Sequence, residues 1–159
     1  MNRALIVASQ ILLAFFALGM LAVQGIVLPM AAQQSRELFP EVDFLYAPLL
    51  YSLEFVLLLA DVIIVCLWML LARIWAGTIF SDSSFRLVNA IVVCFGIAAV
   101  VFIALLWVFL FGINAGGPGV VLGLLAGAGG TSFAALVLLV MRGLLRTATQ
   151  QRAYLEEVV

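Results

Sequence analysis

Residues 47–73 read APLLYSLEFVLLLADVIIVCLWMLLAR, from Ala47 to Arg73. A hydrocarbon layer of ~30 Å is crossed by ~20 helical residues, and this run is longer than that. It contains two acids, Glu54 and Asp61, and no base before Arg73. Three further long apolar runs carry no charged residue in their interiors. The pattern predicts an all-α integral membrane protein, a four-helix bundle, with the acid-bearing run as its second helix.

Composition points the same way. Of 159 residues, 67% are hydrophobic and 9% are charged, against about half apolar and about a quarter charged in a soluble domain. So short a chain cannot hide that much apolar surface in an aqueous core, so lipid must cover part of it. The net charge of −1 gives no pull toward nucleic acid, and no direct nucleic-acid contact is expected. All seven cations are Arg, and there is no His. The commonest metal ligand and general base is therefore missing, and neither a metal nor another cofactor is expected. Cys66 and Cys94 lie inside apolar runs, which argues against a disulfide framework. The first apolar run comes after Met-Asn-Arg but exceeds the 7–15 residues of a signal-peptide core, and Met30-Ala31-Ala32 is a poor cleavage site. It reads as a retained helix.

Prolines, glycines and charges set the boundaries. Helices are predicted over about 4–28, 48–73, 87–111 and 120–141, in one transmembrane domain 1–159 with a tail at 142–159. In the first helix, Gln10 and Gln24 are fourteen residues apart, nearly four turns, so both share a face. Interhelical hydrogen bonding or interface placement explains them. Helix 1 is expected to end at Pro29, before an acidic loop over 30–46 that carries Arg36, Glu37, Glu41 and Asp43, is long enough for a short surface helix and reads as a solvated loop.

Glu54 and Asp61 are seven residues apart, on one helical face about two turns from each other. Asp61 falls near the bilayer centre, where a charged acid costs at least ~2.5–3.5 kcal/mol on insertion scales. Two accounts stand: a proton or cation site, or an acid held by hydrogen bonds that fixes helix packing. With no interior base available, Gln10, Gln24, Tyr51, Thr131 and Ser132 are the candidate partners.

Ile74–Arg86 reads IWAGTIFSDSSFR and links helices 2 and 3. Ser81 suits an N-cap, Phe80 and Phe85 a hydrophobic staple, and Asp82 the helix dipole. Cys66 and Cys94 lie fourteen residues on either side of Phe80, so an antiparallel hairpin places them at similar depth. Beyond the glycine-rich link 112–119, Pro118 suits the first turn of helix 4. There Gly119, Gly123, Gly127, Thr131 and Ala135 repeat every four residues, a spacing that permits close helix approach in lipid. Packing within one chain and homodimerisation both use such a stripe.

With four crossings, Arg3, Arg73, Arg86, Arg142, Arg146 and Arg152 share one side and only Arg36 lies on the other. The positive-inside rule then puts both termini in the cytoplasm.

The order of these pieces resembles a bacterial membrane family, domain of unknown function 2975 (DUF2975). The resemblance rests on Glu37-Leu38-Phe39-Pro40-Glu41, Gly77-Thr78-Ile79-Phe80-Ser81, Pro118-Gly119 and Leu144-Leu145-Arg146-Thr147-Ala148. One departure is the helix 2–3 loop, apolar or Ser where the family often has Lys and Asn. The resemblance implies four helices in a bacterial inner membrane. It also implies a regulatory link, since some relatives are encoded beside a small helix-turn-helix regulator. It carries over no catalytic or binding residue.

No phosphate-binding loop, zinc motif or Ser-His pairing is present. Glu54 and Asp61 are ~10 Å apart along their helix, too far to share a proton. The expectation is a non-enzymatic regulatory or accessory protein that offers loop 74–86 and tail 142–159 to a partner. A small oligomeric proton-coupled transporter or channel using the two acids is the alternative. The lipid bilayer, a helix-turn-helix regulator and a second copy of the chain are the partners this reading allows.

Overall fold

In the computed structural model, residues 3–38, 43–75, 82–113 and 118–157 are described, and all of them are helical. The elements are α1 (Arg3–Ala22), α2 (Leu28–Leu38), α3 (Asp43–Trp75), α4 (Asp82–Trp107) and α5 (Pro118–Glu157). Four stretches are long and apolar enough to cross a membrane: Val7–Gln34, Ala47–Arg73, Ser84–Phe111 and Pro118–Leu144. Their mean hydropathies run from 2.0 to 3.0, so every span is apolar around most of its circumference. Large side chains accordingly point outward: Phe15 is 74% exposed and Phe133 is 70% exposed. That distribution suits a multi-pass membrane protein whose outer surface is solvated by lipid tails.

The first span departs from expectation at Pro29. Rather than ending there, the chain stays helical to Leu38. Between α1 and α2 it widens into a π turn, Val23–Val27, where the Leu28 N–H donates to the Val23 carbonyl five residues back. The physical reason lies in the proline ring. In a regular helix that ring collides with the carbonyl four residues earlier, here Gly25, and leaves one acceptor unpaired. One extra residue in the preceding turn shifts those carbonyls and lets the helix continue. Residues 30–38 are therefore helical, where a solvated loop was expected.

The other boundaries lie closer to the sequence reading. α3 begins before Pro48, and the Ser52 hydroxyl donates to the Pro48 carbonyl at 2.6 Å. α4 begins at Asp82; the expected cap Ser81 and its neighbour Phe80 fall outside the described residues. A second π turn, Val108–Ile113, succeeds α4, and the Trp107 and Phe111 rings tilt together at 4.5 Å. α5 opens on Pro118, whose missing N–H is an unpaired position in any first turn. It then runs forty residues, well past the apolar span that closes at Leu144.

The chain divides into two compact units, Met1–Cys94 and Phe95–Val159. In the first, α1 and α2 both lie against α3. Gln24, Cys66, Ser84, Ile91, Val92 and Cys94 are its buried residues among those described. In the second, the buried positions are Ala98, Ala99, Leu124, Ala128 and Ala135, small side chains except for Leu124. Small residues inside and large ones outside is the arrangement that lets helices approach when lipid offers no hydrophobic drive between them.

Candidate functional site

The polar centre of the first unit is built by the π turn and α3. Gln24 sits inside the widened turn and is only 8% exposed, one of two buried polar residues among those described. Its amide Nε2 donates to Asp61 Oδ2 at 2.7 Å. Asp61 lies fourteen residues after Ala47 and twelve before Arg73, close to the middle of its span. Its second oxygen, Oδ1, is buried and has no hydrogen-bond partner among the described residues. A buried acceptor left unpaired costs ~1–3 kcal/mol, and more when it carries charge.

The π turn matters to this geometry. Adding one residue to a turn rotates the two flanking helical segments by ~100° relative to each other. Gln24 faces α3 in the widened turn while α2 keeps its own contact with the same helix. A π turn inside a long helix is frequently found at a functional site, and here it holds the buried Gln24.

Of the five polar partners the sequence offers Asp61, the structure joins it to Gln24. Gln10 is half-buried on α1, and among the described residues no hydrogen bond links it to Gln24 or to either acid. Glu54 is half-buried two turns before Asp61 and is likewise not bonded to it. Tyr51 is exposed. The Thr131 hydroxyl turns back on its own helix, donating to the Gly127 carbonyl at 2.7 Å and the Ala128 carbonyl at 3.2 Å.

The small-residue stripe of α5 is not uniform. A Cβ added at Gly127 would meet Phe102 Cε1 at 2.8 Å, so the ring lies directly over this glycine. Gly119 and Gly123 have open space where their Cβ would stand. Cys66 and Cys94 are both buried and reduced. Among the described residues no cluster of three or more His, Cys, Asp or Glu side chains is placed to hold a metal. What the site can do is hold a proton, or a hydrogen-bond donor, at one carboxyl group inside the membrane.

No curated protein and no solved structure matches the chain. The profile of one family, described as protein of unknown function (DUF2975), matches residues 30–159. The matched stretch includes Asp61 and all of α3, α4 and α5; it begins after Gln24 and the π turn. The chain belongs to the DUF2975 family.

Proposed function

We propose that this is a non-enzymatic membrane regulator or accessory protein of a bacterial inner membrane. Its termini face the cytoplasm, and α5 carries its state to a soluble partner. The observation that supports this reading is the length of α5. The apolar span closes at Leu144, yet the helix continues thirteen residues to Glu157 without a break. At ~1.5 Å per residue that is ~20 Å of continuous helix beyond the apolar layer. A rotation or tilt in the membrane is thereby transmitted to residues outside it. Six of the seven Arg residues fall on the side of this projection, which supports its cytoplasmic placement. The family resemblance favours a small helix-turn-helix protein as the partner.

Co-purification from native membranes tests the reading. Full-length protein should retain a soluble protein that is lost when residues 147–159 are deleted and loop 74–86 is scrambled. If every co-purifying protein is unchanged by both alterations, the proposal fails.

Proton-coupled transport is the second reading, favoured by the mid-span position of Asp61 and its pairing with Gln24. Flux in proteoliposomes that is unaffected by Asp61→Asn and Glu54→Gln would remove the acids from that account.

A further inference from the structure

From the Gln24–Asp61 geometry we infer that Asp61 is an intramembrane proton-binding site: its carboxyl is held neutral, with the proton on Oδ1 and the Gln24 amide as its partner. This stands apart from both functional readings, since a proton can be bound without being transported or sensed by a partner.

Three observations carry it. The first is the partner's chemistry. Asp61 is met by a neutral primary amide and not by a cation. An amide offers one acceptor and two donors. It complements a carboxylic acid, which also has one donor and one acceptor edge, and can close a two-bond ring with it. Toward a carboxylate the amide oxygen has nothing to contribute. The second is the unpaired Oδ1, buried and without a donor among the described residues. As a carboxylate oxygen it is an unmet buried acceptor; as O–H that unmet acceptor is gone. The third is the absence of compensating charge nearby. Between Val7 and Gln34 the first span has no titratable side chain. On α3 the nearest groups are Glu54, seven residues before, and Cys66, five after; α4 contributes Cys94. None is a cation. The closest one along α3 is Arg73, twelve residues on and ~18 Å away by helical rise. On α2, which also lies against α3, the charged groups are Arg36 and Glu37, both exposed and twelve and thirteen residues past Gln24.

The test uses the full chain in phosphatidylethanolamine/phosphatidylglycerol vesicles at neutral pH. Infrared spectra should contain the carbonyl stretch of a protonated carboxylic acid. Asp61→Asn should abolish it, Glu54→Gln should leave it, and Gln24→Leu should move it to higher frequency by removing the amide bond. A second measurement needs no variant. A membrane-soluble carbodiimide reacts with protonated carboxyls in lipid, and peptide mapping of the wild-type chain should place the adduct on Asp61. No protonated-acid band at neutral pH, a band that survives Asp61→Asn, or an adduct confined to Glu54 overturns the assignment. A band unmoved by Gln24→Leu overturns the pairing.

Discussion

The Gln24 amide meets the Asp61 carboxyl over 2.7 Å, tying the widened turn of the first span to the middle of the second. Gln24→Leu removes the donor and leaves a polar group in an apolar setting. Interhelical hydrogen bonds in membranes average ~0.6 kcal/mol and reach ~1.7 kcal/mol. Detergent-unfolding titrations should show a loss of that size. The pairing predicts non-additivity with Asp61→Leu, because the second change removes the group that the first left unpaired. Strictly additive losses would show that the contact contributes nothing.

Pro29 should set the turn that aims Gln24. Within an ordinary helix a proline costs ~3 kcal/mol, so replacing it normally stabilises strongly. Here the π turn already accommodates the ring, and Pro29→Ala should change overall stability by less than ~1 kcal/mol. Its effect should appear instead in the coupling. With an N–H restored at residue 29, the turn can relax to α geometry and carry Gln24 ~100° away from α3. The Gln24–Asp61 coupling energy, measured by the same titrations in the Pro29→Ala background, should fall toward zero. A coupling that persists shows that the proline does not control the turn.

The four-residue repeat of α5 should resolve into unequal positions. Gly127→Ala drives a methyl group against the Phe102 ring, and overpacking of this kind costs ~1–3 kcal/mol. The ring can swing, so the lower end is expected, and Phe102→Leu should recover most of the loss. Gly123→Ala meets open space in the single chain and should be neutral or slightly stabilising. Thermal stability in detergent measures all three. Equal losses at 123 and 127 would mean that Gly123 is covered by a second copy.

How much of this was legible depends on how rare each signal is. An acid near the middle of a 27-residue apolar span stands out, and so does an amide inside another span; the structure brings the two together. Counting residues from Phe80 suggested a similar depth for Cys66 and Cys94, and both are buried in the same unit. The π turn left no such mark. One surplus residue alters neither composition nor hydropathy, and Pro29 reads as a terminator wherever the turn before it is assumed regular. The helix therefore runs on to Leu38, where the sequence suggested a loop. In α5 the repeat identifies small residues but not which of them a neighbour covers, because burial depends on the facing side chain. Phe102, twenty-five residues away from Gly127, carries no sign of that role in its own surroundings.

The projection of α5 permits a test of rigidity that truncation does not. If the helix carries information as a rod, residues beyond Leu144 must keep their angular phase relative to those in the span. One alanine inserted after Leu144 rotates the whole C-terminal projection by ~100° and lengthens the rod by only ~1.5 Å. Seven inserted alanines return the face to within ~20° of its original direction, but lengthen it by ~10 Å. On the proposed function, retention of a soluble protein should drop with one alanine and recover with seven. Two glycines at the same place weaken the helix by ~1 kcal/mol each and should lower retention whatever the phase. A loss that tracks inserted length, with seven worse than one, would make reach the governing variable. Equal retention in every variant would mean that residues 145–157 act as a flexible tether, and the transmission argued from their helicity would fall with it.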